Sequence, residues 1–400
     1  MNVVLFDNHY RNHLLPFTYT RPQADIRIGI LTIREKWEKR LGVKTSSLTE
    51  PYLSKKFPLK TTEKNLLIAG TLCPTDELVE AVKSLKLGQT LVKNEEILAH
   101  CVENIPQQLN DYSGKKIEFK ENIRVVSQVW DIFHQNEDEL LLDFGLITKG
   151  KVSQPLSKTN VLIGDKQNLF IEEGAIVEAS VINVKNSKVY IGKNAEVMEG
   201  SLIRGSLALC EGSQLKLGAK VYDSTTIGPH SKVGGEINNV VIFGYTNKAH
   251  DGFMGNSVIG EWCNIGADTN TSNLKNDYSE VKLWSCAEQK FIKTGLQFCG
   301  LIMGDHVKCG INTMFNTGTV IGVGSNLFGS GYMPNFVPSF LWGGPKGFQE
   351  GYIDKLIAVA EKVYKRRNVV FDETEKNILF EIHNYLKNNQ ETRLPNLIIL

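Results

Sequence analysis

A histidine set among glycines and small residues is the first place where this sequence offers chemistry. The run Asn247-Lys248-Ala249-His250-Asp251-Gly252-Phe253-Met254-Gly255 leads, nine residues after His250, into Ile259-Gly260-Glu261-Trp262-Cys263-Asn264-Ile265-Gly266-Ala267-Asp268-Thr269, with Asn273 just beyond. An imidazole titrates near neutral pH, so His250 can act as a general base. The plainer reading is a loop histidine bonded to Asp251. A second group lies near the start. The guanidinium groups of Arg21, Arg27 and Arg34 can fork onto phosphate, or can form a solvated basic face paired with Asp25 and Glu35. Asp7 closes an apolar run and can hold a ribose hydroxyl or a metal ion, or cap a loop. Trp130-Asp131 and Asp143 read as strand ends, where an exposed ligand face competes with simple packing of the Trp ring.

A repeat must position these groups. Ile191, Val197, Ile203, Leu209, Leu215, Val221, Ile227 and Val233 fall on every sixth residue, and all are aliphatic. The beat returns at Ile259 and Ile265, and again at Met303, Cys309, Phe315, Ile321, Leu327 and Met333. A period of six fits neither a helix nor an alternating strand. It fits a parallel β-helix in which each hexad is one short strand and one corner, and three hexads close a coil. Each coil buries its apolar row only by stacking on the next. The pattern resembles the left-handed β-helix of the hexapeptide-repeat acyltransferases, and the hand comes from that resemblance. The beat lapses over Asn238–Ser257 and again from Thr271 to Leu301, which predicts loops projecting from the solenoid, where binding residues concentrate. Asn183–Lys188 is expected to be a smaller outward loop.

Composition narrows the classes. A chain of 400 residues implies two or three domains. A net charge of +1 lacks the concentrated basic face of a nucleic-acid binder. Seven cysteines without a C-x-x-C spacing read as reduced thiols of a cytoplasmic protein. The start MNVVLFDNHY shows no signal-peptide pattern. No apolar run approaches the ~20 residues of a membrane span. His230, His250 and His306 are too scattered to read as a zinc site, so no metal is assigned there.

Ahead of the repeat, Asn2–Phe6 reads as a buried strand and Asp7–Arg21 as a polar loop. Thr32 and Glu35 form a capping box for a helix ended by Gly42. Asn65–Ala69 is strand-like, and Glu77–Leu87 is helical and stopped by Gly88. Ile123–Trp130 and Leu140–Asp143 complete a small α/β pattern. Behind the repeat, one stripe (Ile353, Leu356, Ile357, Ala360, Val363, Tyr364) and a second (Ile378, Leu379, Ile382, Tyr385, Leu386) predict two helices that pack on the prism or on a neighbouring subunit. Lys365-Arg366-Arg367 between them reads as a solvated turn, or as a contact to phosphate.

The N-terminal segment distantly resembles sugar-1-phosphate nucleotidyltransferases. His13-Leu14-Leu15-Pro16-Phe17-Thr18-Tyr19-Thr20-Arg21-Pro22-Gln23 keeps Leu14, Pro16, Thr18 and Pro22 of that family's motif. Asp7-Asn8-His9-Tyr10-Arg11 replaces the Gly-rich turn that cradles triphosphate. Gln23 stands for the motif Lys, and Gly70-Thr71-Leu72 for the metal-binding Asp. The resemblance makes Asp7 and Arg21 the nucleotide-binding candidates, with Mg²⁺ as companion of any nucleotidyl transfer.

The stretch from about Thr226 to Val323 resembles the acetyltransferase half of the bifunctional N-acetylglucosamine-1-phosphate uridyltransferase/glucosamine-1-phosphate acetyltransferases. Their Lys-rich loop with a His, then I-G-x-x-x-N-I-G-A-G-T, then an Asn, matches here without a gap between His250 and Ile259-Gly260. By that resemblance His250 is the general base and Asn273 positions the amine or acetyl group. Lys232, Lys248 and Lys282 bind the sugar phosphate, and Asn312, Thr317 and Ser330 line the acyl-donor groove; each of these last three is equally suited to hold a corner. Departures are Gly234 for the family's phosphate-binding Arg, Phe253 for its Tyr, Leu274 for the Tyr of its Asn-Tyr pair, and Asp268 for the Gly of G-A-G-T.

The expected chain has three parts: a divergent nucleotidyltransferase-like α/β domain (1–150), an all-β left-handed parallel β-helix (155–340), and a helical tail (345–400). The expected activity is N-acetylation of an amino-sugar phosphate or nucleotide sugar, in UDP-N-acetylglucosamine-type biosynthesis. Acetyl-CoA is the co-substrate, nucleotidyl transfer is a second activity, and a homotrimer shares the acyl-donor sites. The alternatives are a non-catalytic sugar-nucleotide-binding trimeric scaffold, or a nucleotidyltransferase whose β-helix only trimerises.

Overall fold

The computed structural model describes residues 2–105 and 114–388. Two compact units divide it. The first comprises residues 1–14, 20–26 and 31–128; the second comprises 15–19, 27–30 and 129–400.

The first unit is a six-stranded sheet in the order 45–48, 2–6, 65–69, 96–102, 89–93, 115–118. Its first three strands are parallel. Asn2–Phe6 and Asn65–Ala69 are strands as expected, with Val3–Phe6 and all of 65–69 buried. Helix α1 (Ile33–Leu41) carries the predicted capping box, and Gly42 ends it in the left-handed conformation at φ 69°. Helix α2 (Asp76–Lys83) begins on the Thr75 cap. The segment after the first strand is not the polar loop expected. It forms short 3₁₀ turns at His9–Leu14 and Phe17–Tyr19 and buries Arg11, Leu14 and Phe17.

His100 lies fully buried on the strand Glu96–Val102, with Nδ1 2.8 Å from Thr90 Oγ1. Burial pushes its pKa from 6.5 down to about 4. The native state therefore keeps the ring neutral while the unfolded chain protonates it. This stability is fully present above the unfolded pKa and is lost as pH falls from 6.5 towards 4. At ~1.4 kcal/mol per pKa unit, the acid loss is about 3 kcal/mol. Denaturant titrations across that window should show it, and His100→Gln should flatten it.

The second unit is the coil. A thirteen-stranded and a ten-stranded sheet of short strands run up it, parallel apart from one closing hairpin of 341–344 with 347–350. The thirteen-stranded sheet wraps two faces, joined where Glu236–Gly244 and Phe253–Glu261 run from one to the other, and with the ten-stranded face it makes the expected left-handed parallel β-helix. Every residue of the unbroken beat is at most 2% exposed. One inward column runs through Ile191, Leu209, Ile227, Ile242, Ile259, Met303, Ile321 and Val337, each paired in register with the next.

The spacing along that column explains both lapses in the beat. From Leu209 to Ile227 the coil takes a regular 18 residues. The next two coils take 15 and 17. Asn238–Ser257 is thus no projecting loop: the long strands Glu236–Gly244 and Phe253–Glu261 keep it in the sheet, and only the corners shorten. From Ile259 to Met303 the chain takes 44 residues, a true insertion. It carries an antiparallel hairpin of 282–285 with 290–293.

Leu140–Asp143, expected as a strand, lies inside a helix. The short α3 (Asp131–His134) runs into α4 (Asn136–Thr148). An apolar run this short cannot be assigned to helix or strand from its pattern alone. Buried Asn136 and Asp143 accept the Gly29 and Ile30 amides at 2.7 and 2.9 Å. Asp143 is therefore a structural acceptor rather than a ligand group at a strand end.

Helix α5 (Ile353–Arg366) packs Ile357, Ala360 and Tyr364 inward. Tyr364 stacks on Trp262 at 3.7 Å, Trp262 on Tyr245 at 4.1 Å, and His230 follows at 5.0 Å from Tyr245. These coil residues occupy left-handed corners, with φ of 60°, 53° and 57° for Trp262, Tyr245 and His230. Bulky residues rarely adopt that conformation, and the aromatic stack compensates its cost. Tyr364→Ala should lower stability by about 3 kcal/mol, in the range of large-to-small aromatic truncations, read as the denaturation midpoint. Arg367 donates to the His230 carbonyl at 2.8 Å, so the basic turn is anchored. Helix α6 (Glu373–Asn388) buries Ile378, Leu379, Ile382 and Leu386 and leaves Tyr385 exposed.

Candidate functional site

His250 stands on the corner 249–252. Val233 pairs with Lys248, and Glu236 with Phe253. The corner 249–252 therefore lies over the shorter link Gly234-Gly235. Gly235 has φ 78°, and a Cβ there would meet the Gly252 carbonyl oxygen at 2.7 Å. An Arg at the Gly234 position would need the same room: its Cβ would lie 2.4 Å from the Ala249 oxygen. The close seat of the His250 corner thus explains why the family's phosphate-binding Arg is replaced here. His250 is exposed, and among the described residues its ring makes no hydrogen bond or ion pair. The bond to Asp251 weighed above is not formed.

Lys248 does not reach outward. Its side chain is 1% exposed and occupies an inward core position stacked on Val233. Its Nζ donates to the carbonyls of His250 at 2.5 Å and Asp251 at 3.2 Å. Burial pushes its pKa down to about 8. A buried ammonium bonded to its own corner is not placed to hold a substrate phosphate. The alternation that turns Asn247 outward turns Lys248 inward.

Asn273 ends a chain of amides. Its Nδ2 donates to Asn256 Oδ1 at 2.7 Å. Asn256 donates to Asn239 at 3.0 Å with the Asn239 amide oriented to accept, and Asn239 then donates to the carbonyls of Ser224 and Phe133. The donors of Asn273 are thus directed into the protein, while its Oδ1 accepts nothing from the described residues. A fixed, half-buried carbonyl oxygen suits an amine N–H. His250 and Asn273 occupy different corners, separated by one face of the coil.

Lys282 and Thr317 meet at one cavity of about 480 Å³, together with Lys275, Phe291, Asn316 and Asn335. Thr317 Oγ1 lies 2.7 Å from Ser272 Oγ, and its carbonyl accepts Asn335 Nδ2 at 2.7 Å. Asn312 is an exposed left-handed corner at φ 56°, and Ser330 is exposed; neither lines that cavity. Lys232 is half-buried, and burial, then Arg367 and Lys216, lower its pKa. Asp268 holds φ 55°, the conformation for which the family uses Gly and which Asp tolerates.

In the first unit, a cavity of about 320 Å³ opens at the carboxyl ends of the strands 2–6 and 45–48, lined by Asp7, Asn8, His9, Arg11, Asn12, Thr49 and Glu50. Open α/β sheets bind ligands at such a place. Asp7 is already engaged there: Oδ2 accepts from Arg11 and Thr49 at 2.5 Å each, and Oδ1 from the Gln23 amide at 2.8 Å. Burial pushes its carboxyl upward while the Arg11 guanidinium pulls it back, the net effect being a rise. Gln23 clasps Asn8, accepting its amide at 2.7 Å and donating to its side chain at 3.0 Å. This latch replaces the Gly-rich turn. Arg21 is buried, Arg27 donates to the carbonyls of Phe243 and Ile30, and Arg34 pairs with Asp25 at 2.7 Å. Both Asp7 oxygens accept from the protein, and Gly70-Thr71-Leu72 brings no carboxylate, so the residues here do not supply the carboxylate ligand that Mg²⁺ takes beside substrate phosphates. The latch and the buried lysine went unseen in the sequence. The asparagine chain has a signal, a 17-residue recurrence at 239, 256 and 273, hidden by counting in eighteens.

Comparison with known proteins places the chain. Residues 3–152 match the family model of sugar nucleotidyl transferases. The bifunctional protein GlmU of Methanocaldococcus jannaschii is 30% identical over 260 residues, 65% of this chain and 55% of that protein. The bifunctional sugar-1-phosphate nucleotidylyltransferase/acetyltransferase of Sulfurisphaera tokodaii is 32% identical over 149 residues, 36% of this chain and 37% of that protein. Among solved structures, the polySia-specific acetyltransferase NeuO is 17% identical at a TM-score of 0.29, covering 53% of this chain and 99% of that one, too remote a likeness to inform the function. The matches span 55% or less of those two curated relatives. The chain is thus similar to the bifunctional sugar-1-phosphate nucleotidylyltransferase/acetyltransferases over part of their length, and its residues 3–152 match the sugar nucleotidyl transferase family.

Proposed function

We propose that the chain is a coenzyme A-dependent N-acyltransferase acting on an amino-sugar phosphate or nucleotide sugar, with His250 as general base. The observation that carries this reading is the His250 ring, exposed and without a protein partner among the described residues, on a corner held from inside the coil. In the reaction the acceptor nitrogen attacks the thioester carbon and His250 takes its proton. Coenzyme A leaves as the thiolate and is protonated. The free Oδ1 of Asn273 is suited to orient the amine. Lys282 and Thr317, with Lys275 and the Asn pair of their cavity, offer a polar place for phosphate or for the acyl donor. Because His250 and Asn273 stand on different corners, a trimer that sets one chain's edge against the next fits the reading.

Wild-type protein should convert acetyl-CoA and glucosamine-1-phosphate, or a related hexosamine phosphate, to an N-acetylated product identified by mass spectrometry. A panel of such acceptors that yields no acetylated product would reject the reading.

A second reading concerns the first unit. Its cavity and family match support binding of a nucleotide or nucleotide sugar there. The engaged Asp7 and the latch in place of the Gly-rich turn favour binding over nucleotidyl transfer. Calorimetry with UDP-sugars that finds binding, beside an assay that finds no pyrophosphate release from UTP and a sugar-1-phosphate, would support it.

A further inference from the structure

Lys248 is among the largest fully buried side chains of the molecule, in a column otherwise made of Val177, Val197, Leu215, Val233, Ile265 and Leu327 with Cys309. Its neighbours in that column are apolar, so a lysine there sets a charge against the hydrophobic core. We infer that Lys248 is a positioning residue: an internal post whose ammonium holds the His250 and Asp251 carbonyls and so fixes the direction in which the His250 imidazole points. This rests on the reading of His250 as the base.

Three observations support it. The two accepting carbonyls belong to His250 itself and to the next residue, at 2.5 and 3.2 Å. The corner is exposed, with His250 and Asp251 open to solvent, so its own side chains do not pack it in place. Below it lies only the two-residue Gly234-Gly235 link, which has no side chains to brace it. The charged groups facing Lys248 are Asp251 and Asp268, with the Cys309 thiol on the inner side. Burial lowers its pKa to about 8.

A lysine that merely stabilised the coil and one that serves the site give opposite results. The Asp251 carbonyl keeps a second donor in the Asp268 amide at 3.0 Å, and an apolar replacement removes the buried charge. Lys248→Met is therefore expected to melt no lower than wild type at pH 7, in the manner of buried charges replaced by apolar residues. Its acyl transfer should nonetheless fall by roughly 10²-fold in kcat with KM nearly unchanged, since small displacements of a reacting group cost about that much. Amide hydrogen exchange should accelerate in 249–252 while the coils on either side keep their protection. Lys248→Gln, a shorter neutral donor, should recover part of the loss and serves if the Met variant does not fold.

Exchange in 249–252 unchanged in both variants, or a melting point that falls in parallel with activity, overturns the inference. The exchange readout needs no turnover. If His250→Ala leaves turnover intact while Lys248→Met loosens the corner, the base assignment has failed and the post has not. If His250→Ala lowers turnover while Lys248→Met changes neither exchange nor kcat, the post alone has failed.

Discussion

Replacing His250 by Ala should lower acceptor-dependent acyl transfer by roughly 10² to 10⁴, the usual worth of a positioned general base. The fold should be untouched. The ring is exposed and bonds to nothing among the described residues, so its removal leaves neither a cavity nor an orphaned partner. Surface substitutions of that kind stay within about 0.5 kcal/mol of wild-type stability. Activity and stability should therefore separate cleanly. KM for the acceptor should move little, because the proton is taken only as the nitrogen attacks. A histidine that merely ornaments a loop would leave the rate within a few-fold of wild type.

Replacing Asp7 by Ala should have the opposite profile. Its carboxylate is 9% exposed, pairs with the equally shielded Arg11, and accepts from Thr49 and the Gln23 amide. Deleting it takes the paired carboxylate from a buried guanidinium, whose remaining acceptors include the Arg21 carbonyl and the Tyr52 hydroxyl, and breaking a buried pair costs about 3–5 kcal/mol. Glu50, 3.6 Å from Arg11 Nε but half exposed, can recover a little of this, so the lower end is expected. The denaturation midpoint of the first unit should drop while acyl transfer by the coil is preserved. A loss of nucleotide binding in this variant would follow from unfolding. Asp7→Asn keeps the shape and is the variant in which a ligand role must be sought. Wild-type stability in Asp7→Ala would show that the buried ion pair is not what holds this turn.

The legibility of this chain depends on which interactions are periodic. Hexads read as a coil because each aliphatic beat must face inward, and every beat of the unbroken run is buried. The capping box of α1 was equally readable, since Thr32 and Glu35 bond locally. Corners were not. A coil can shed residues at a bend without losing its core, so coils of 15 and 17 residues looked like an excursion and hid both the position of Lys248 and the asparagine chain. Long-range polar contacts escaped for a different reason. Gln23 clasping Asn8, and Asn136 and Asp143 holding 29–30, join segments that nothing local in the sequence connects. Of the candidate site residues, His250 and Lys282 are exposed, Asn273 is half-buried and Thr317 is buried at the wall of a cavity, whereas Lys248 faces inward and Asp7 is bound to its neighbours.

Acyl transfer from coenzyme A by the coil is the central claim, and acceptor-dependent thiol release tests it most directly. Acetyl-CoA is mixed with the protein and with each of a set of hexosamine phosphates and UDP-amino sugars, and free thiol is followed against protein without acceptor. At least one acceptor should raise thiol release well above that background, and His250→Ala should abolish the rise. Thiol release that no acceptor increases, or that His250→Ala matches, would contradict it.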